Sequence, residues 1–169
     1  DVEPTLVFFT SERGKFQAWV PISGYFQEFT IMRTLFSEAI DCTVFAFALN
    51  GASTMLQYCD LSVETAASLT QSAILNEARD AVDRDFLVLI DDEQEGLTDD
   101  SYLTLTLLGK TNDFNGTFKA RIILVENRLY VVFMGVQAAN WCNCLHQVDR
   151  VIDSFSVDPD MSIPFEPSS

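Results

Sequence analysis

Apolar and polar residues alternate in short runs along most of this chain, and turn residues separate the runs. Such alternation buries one face of a β-strand. Residues 5–10 and 16–20 read as short strands on either side of a turn at Glu12, Arg13 and Gly14, with Pro21 ending the second. Residues 26–36 continue as a mixed apolar and polar strand. Residues 40–49 and 52–59 flank Asn50 and Gly51, a strong hairpin signal because both central residues of such a turn take positive φ. A two-residue turn there pairs Phe45 with Leu56, Phe47 with Thr54 and Cys42 with Cys59. Counted outward from the turn, Cys42 and Cys59 form a non-hydrogen-bonded pair, whose Cα atoms lie ~4.5 Å apart, within the span a disulfide accepts. The two cysteines are read either as a disulfide, which implies an oxidising compartment, or as two buried thiols.

The period changes after Leu61. Ser62 is suited to cap a helix over residues 63–86, with Ala67, Ile74, Ala78 and Ala81 on the stripe that packs against the sheet. Residues 86–90 read as a strand, residues 91–100 (DDEQEGLTDD) as a charged connection, and residues 102–108 as a strand with Leu103, Leu105 and Leu107 on one buried face. Residues 118–125 and 128–136, joined at Glu126 and Asn127, are apolar on both faces. Leu124 pairs with Leu129 and Ile122 with Val131 on one face, and Ile123 with Tyr130 on the other. A strand with two apolar faces needs cover on both, so this pattern predicts a sandwich. A two-residue turn at Asn115 and Gly116 would set Lys110 opposite Arg121, a disfavoured like-charge pair, so a longer loop is the alternative. Residues 138–154 read as a last helix with Trp141, Leu145, Val148 and Ile152 on one stripe. The expected organisation is a single α+β domain over residues 1–157 with a central twisted antiparallel sheet, then a Pro-punctuated tail or linker at 158–169.

Ten Lys and Arg against 25 Asp and Glu give a formal charge of -15, which repels phosphate backbones and anionic lipid and disfavours nucleic acid as a partner. No run approaches the ~18 consecutive apolar residues of a membrane span. The chain opens at Asp1 rather than Met, so the lack of a leader within it excludes nothing upstream.

Candidate chemistry is sparse. The single histidine, His146, shares a helix face with Cys142 and Asp149, a set able to ligate a soft or borderline metal, although three ligands from one helix converge poorly; Cys144 points nearly opposite to Cys142. Asp91, Asp92 and Glu93 head an acidic run with hard oxygen ligands for Ca²⁺ or another divalent cation, in an order unlike a calcium-binding loop. In both cases the plainer reading is a solvated surface. Asn115, Gly116 and Thr117 satisfy the glycosylation pattern and equally read as a turn. Arg79, Arg84, Arg121 and Arg128 stand out in so acidic a chain, either paired with carboxylates or clamping an anionic ligand. No phosphate loop, paired metal-binding cysteines or serine-nucleophile elbow occurs, and catalytic residues are not expected.

Three segments resemble the family of the photosystem II extrinsic protein PsbP and its bacterial relatives, whose fold is shared with a Ran-binding nuclear-import factor. They are residues 8–21 (FFTSERGKFQAWVP), 57–82 (QYCDLSVETAASLTQSAILNEARDAV) and 118–157 (FKARIILVENRLYVVFMGVQAANWCNCLHQVDRVIDSFSV). In the last, Arg121, Arg128, Leu129, Tyr130, Trp141, Ser154 and Phe155 match a recurring combination of that family. The resemblance implies an α-β-α sandwich and a non-catalytic accessory or docking role outside the cytoplasm, on a protein partner that includes a membrane or photosynthetic assembly among its options. Together with Arg79, singled out by the scarcity of basic residues, it makes Arg121, Arg128, Tyr130 and Trp141 the candidate ligand or docking residues. The chain departs from the bacterial relatives after Leu108, where Gly109, Lys110, Thr111, Asn112 and Asp113 replace a Gly-x-Pro-Gly-Arg-type turn. The alternative function is a small-ligand or cation carrier that uses the acidic run or a pocket between sheet and helix.

Overall fold

The structure, a computed structural model, describes residues 6–21, 25–49, 52–112, 116–137 and 141–157, the side chains of Tyr25, Leu49 and residues 141–143 excepted. The alternating runs form strands β1 (Leu6–Ser11), β2 (Phe16–Pro21), β3 (Tyr25–Leu35), β4 (Glu38–Leu49) and β5 (Ala52–Asp60). Helices α1 (Val63–Ser68) and α2 (Gln71–Asp85) lead into β6 (Val88–Leu97), β7 (Leu103–Thr111), β8 (Gly116–Val125) and β9 (Arg128–Gln137). Helix α3 (Trp141–Ser154) and the short β10 (Ser156–Val157) complete an α+β chain. Seven strands form one antiparallel sheet in the order β3-β4-β5-β9-β8-β7-β6, and β1-β2-β10 forms a smaller one.

Registers follow the burial pattern. Phe45 faces Leu56, Phe47 faces Thr54 and Cys42 faces Cys59, as the hairpin arithmetic predicts, while Asn50 and Gly51 themselves lie outside the described residues. Leu124 faces Leu129 and Ile123 faces Tyr130 across β8 and β9. Between β7 and β8 the longer loop prevails: Thr111 faces Gly116, Lys110 faces Thr117, and Arg121 finds Thr106 instead of a second cation.

Two cores result, one on each side of the seven-stranded sheet. On one side Ile74, Leu75, Ala78, Ala81 and Val82 of α2 join a cluster with Leu107, Ile122, Leu129 and Val131. On the other, Phe16, Ala18 and Val20 of β2 and Val148, Val151 and Ile152 of α3 join Tyr58, Tyr130, Val132 and Met134. Strand alternation sends neighbouring residues of β8 and β9 to opposite cores.

Three local expectations are corrected. The helix expected over residues 63–86 is broken, because Leu69 is extended and the Thr70 hydroxyl accepts the Ala73 amide at 3.1 Å and starts a new helix. Ser62 caps α1 as expected, yet α1 buries none of its residues and Ala67 is exposed. The acidic residues 91–95 are not a connection but the body of β6, an edge strand that is polar on both sides and so lacks alternation. On α3, Leu145 is exposed and Val151 takes the core position beside Val148 and Ile152. The tail at 158–169 lies outside the described residues.

Strand β6 bulges between Ile90 and Asp92, next to the point where Ile90 faces Gly109. A Cβ at Gly109 would lie 2.0 Å from the Leu89 carbonyl oxygen and 2.9 Å from the Phe118 ring. Only glycine allows this close approach of β6 to β7. Gly109→Ala is expected to destabilise the fold by about 1–3 kcal/mol in urea titration, with overpacking as the cause.

Candidate functional site

Among the described residues, one guanidinium is buried and held by several partners at once. Arg128, at the start of β9, donates through Nη2 to Asp60 Oδ2 at 2.8 Å and through Nε to Asp60 Oδ1, and both side chains are almost fully buried (7% and 4% exposed). Its Nη1 donates to the carbonyls of Gly14 at 3.1 Å and Arg13 at 3.3 Å, and its plane lies 4.5 Å from the Tyr58 ring centroid. The Tyr130 hydroxyl donates to the same Gly14 carbonyl. The turn between β1 and β2 is thereby fastened to the central sheet by two side chains from one strand. Gly14 belongs there for a steric reason, since a Cβ would lie 2.6 Å from the Phe16 ring. Burial lowers the Arg128 pKa, but hydrogen bonding and the charge of Asp60 outweigh it and leave it raised. Burial pushes the Tyr130 phenol up to about 12.

The hairpin so held presents aromatic residues outward. Phe8 and Trp19 face each other across β1 and β2, 52% and 37% exposed, with ring centroids 5.4 Å apart in an edge-to-face contact. Arg150 of α3 lies 5.9 Å from the Trp19 ring, and the Trp19 amide donates to Ser154 Oγ at 2.8 Å. Inward, Phe9 meets Phe45 and Phe47 edge to face, and Phe16 stacks on Phe155. A strand cannot turn consecutive residues the same way, so of the pair Phe8 and Phe9 one must face out. That signal was legible in the sequence, whereas nothing near Asp60 in sequence marked it as the partner of Arg128.

The remaining candidates are dispersed. Arg79 pairs with Glu93 and Asp80 on the α2 side of β6. Arg84 binds Asp85 and the Thr34 carbonyl. Arg121 donates to Thr106 Oγ1 at 3.0 Å and pairs with Asp153 at 3.1 Å, on the wall of two adjoining grooves of about 300 and 260 Å³ that also share Ile123 and Phe155. Asp149 is paired with Lys119 at 2.7 Å, and His146 lies on the exposed face of α3. Asp91, Asp92 and Glu93 are exposed along β6. Among the described residues no three His, Cys, Asp or Glu side chains converge as a metal set. The side chains of Trp141 and Cys142 lie outside the described residues. A cavity of about 370 Å³ opens between α1, α2 and the sheet, with Leu103 and Leu124 in its lining and Asp100 and Glu126 among its polar groups. Cys42 and Cys59 are buried free thiols, and hydrogen bonding to Cys42, with burial second, pushes the Cys59 thiol well above its ordinary range.

A seven-stranded antiparallel sheet with a small hairpin and α3 against one side and α2 against the other defines a PsbP-like fold. The solution structure of cyanobacterial PsbP (CyanoP) from Synechocystis sp. PCC 6803 matches it with a TM-score of 0.60 at 12% identity, over 93% of this chain and 94% of that one. The crystal structure of PA94, a protein of unknown function from Pseudomonas aeruginosa, matches with a TM-score of 0.48 at 4% identity, over 95% of this chain and 99% of that one. No family model matches the chain, and no curated protein matches it in sequence.

Asp60→Asn leaves the Arg128 guanidinium buried beside a neutral group and is expected to cost about 3–5 kcal/mol in denaturant titration. Tyr130→Phe removes one hydrogen bond and should cost about 0.5–1.5 kcal/mol at neutral pH. Because the folded phenol titrates near 12 and an unfolded one near ~10, its contribution is whole below ~pH 10 and is lost as pH rises between the two values. Alkaline unfolding curves of the Tyr130→Phe protein should therefore fall less steeply in that window than those of the wild type.

Proposed function

We propose that this chain is a non-catalytic accessory domain of α-β-α sandwich build that docks on a protein partner outside the cytoplasm. The observation that carries the reading is the pair Phe8 and Trp19, exposed on a hairpin that Arg128 and Tyr130 hold rigid. Large aromatic side chains on an immobilised element lose little entropy on binding and fill apolar pockets, which is how anchor residues act. The two cores, with helices on either side of the sheet, support the sandwich, and the likeness to cyanobacterial PsbP supports an accessory role. With a net charge of -15, the chain suits an apolar pocket whose rim is basic.

Affinity capture from the native membrane fraction tests this reading. The wild type should retain a partner that Phe8→Ser and Trp19→Ser each lose, while both variants stay folded by circular dichroism at the temperature of the capture; recovery of the bait alone would sink the docking role.

The extracytoplasmic setting carries a second expectation. Cys42 and Cys59, free thiols in this structure but opposed across β4 and β5, should form a disulfide there. Protein isolated from its native compartment, denatured and alkylated without reductant, should have a mass showing two of its four cysteines unlabelled. Four labelled thiols would remove both the bridge and the argument for export.

A further inference from the structure

The two edges of the seven-stranded sheet are built differently. Edge β6 carries the exposed carboxylates Asp91, Asp92, Glu93 and Glu95 together with a bulge, the usual means by which an edge refuses another strand. Edge β3 has no bulge and only one exposed carboxylate, Glu28, along its middle. It pairs with β4 through 11 residues without a register shift, and Phe26, Ile31 and Met32 on it are exposed large hydrophobics, Phe26 at 51% and Met32 at 66%. Among the described residues no element pairs with its outer side.

The reach of that open edge can be read from one hydrogen bond. Arg84 Nη2 donates to the Thr34 carbonyl at 3.0 Å, so the main chain of Thr34 turns away from β4 and is already occupied. Alternation along an antiparallel strand then turns the amide and carbonyl of Met32, Thr30, Glu28 and Phe26 outward as well. Next to Thr34, the Phe36 amide donates to Glu77 Oε2 at 2.6 Å, so α2 closes this end of the edge. The open stretch is residues 26–32, and its midpoint is Phe29.

We propose that β3 is a self-association edge, pairing antiparallel with β3 of a second copy about a two-fold axis at Phe29. This register opposes Phe26 to Met32 of the other copy, Gln27 to Ile31, Glu28 to Thr30, and Phe29 to itself. Side chains of like parity share a face, so the two sheets continue into one. Each exposed large apolar residue gains a cross-strand neighbour, the Phe26 and Met32 contact occurring twice, and no like charges stand directly opposite. A register shifted by one pair, centred on Thr30, would instead set Phe26 against Thr34, whose carbonyl Arg84 holds. The acidic charge gives the occupant a signature: two copies at -15 repel, so association must tighten as salt rises, whereas a basic foreign segment would bind more weakly.

Sedimentation equilibrium across protein and salt concentrations, combined with cysteine crosslinking, tests the pairing. The wild type should dimerise more tightly at high salt. In this register the Phe29 Cα atoms of the two copies form a non-hydrogen-bonded pair ~4.5 Å apart, so Phe29→Cys should give a reducible covalent dimer on mild oxidation. Gln27→Cys, four residues from its own counterpart's position, should crosslink no more than wild type and controls for the native cysteines. Met32→Lys, which puts a cation on the edge beside Asp41, should weaken the dimer about tenfold through two lost contacts without lowering the melting temperature. A monomer at all concentrations would overturn the proposal, as would a dimer indifferent to Met32→Lys and uncrosslinked by Phe29→Cys. Protection of the residue 28 and 30 amides from hydrogen exchange independent of protein concentration would also overturn it, since a segment of the same chain would then cover the edge.

Discussion

Strand β9 is buried along nearly its whole length, and a strand with no wet face obliges the chain to build a layer on each side of the sheet. Its odd residues Leu129, Val131 and Phe133 feed the core under α2, and its even residues Tyr130, Val132 and Met134 feed the core under β2 and α3. Much of the architecture follows from this demand. Helix α2 covers one face, while the other is too broad for α3 alone and is shared with the hairpin β1-β2. The hairpin is a separate small sheet, so main-chain pairing cannot hold it to the seven-stranded one. Arg128 and Tyr130, on the same β9, supply what the ladder cannot by donating to the carbonyls of the turn.

That arrangement separates the rigid parts of the molecule from the parts that can meet others. Basic residues are scarce, and those that stand out are mostly consumed by carboxylates: Arg128 by Asp60, Arg121 by Asp153, Arg79 by Glu93, Lys119 by Asp149. The hairpin and β3 expose large apolar side chains, and the chain's net charge is acidic. The inner face of the hairpin and the open edge β3 approach each other through Phe9, whose ring centroid lies 6.2 Å from that of Phe26.

Much of the fold was legible wherever one physical signal dominated. The Asn-Gly signal in the sequence foretells a register, and the strands pair in it from Leu49 and Ala52 out to Cys42 and Cys59. The like-charge conflict between Lys110 and Arg121 correctly argued for a longer loop, since the observed register gives Arg121 a threonine. The signal failed where two tendencies were close in energy. A helical stripe runs through Leu69 and Thr70, yet the Thr70 hydroxyl captures the Ala73 amide and breaks it. The acidic continuation of β6 beyond Ile90 was illegible because an edge strand with water on both sides has no reason to alternate.

The candidate site divides in the same way. The Arg and Tyr at 128 and 130 were visible as residues in a recurring pattern, but their role as fasteners of a distant turn was not, since Asp60 and Gly14 are brought to them only by the order of strands in space. By itself the chain's pattern determined the α+β class, the hairpin registers, the two-faced strands and the acidic character, all of which depend on neighbours within a few residues or on composition. The tertiary structure alone decided which arginines are consumed, that Phe8 rather than Phe9 faces water, and that one sheet edge is charged while the other is open. Those properties depend on which surfaces remain after both faces of β9 are covered, and packing between elements far apart in sequence settles that.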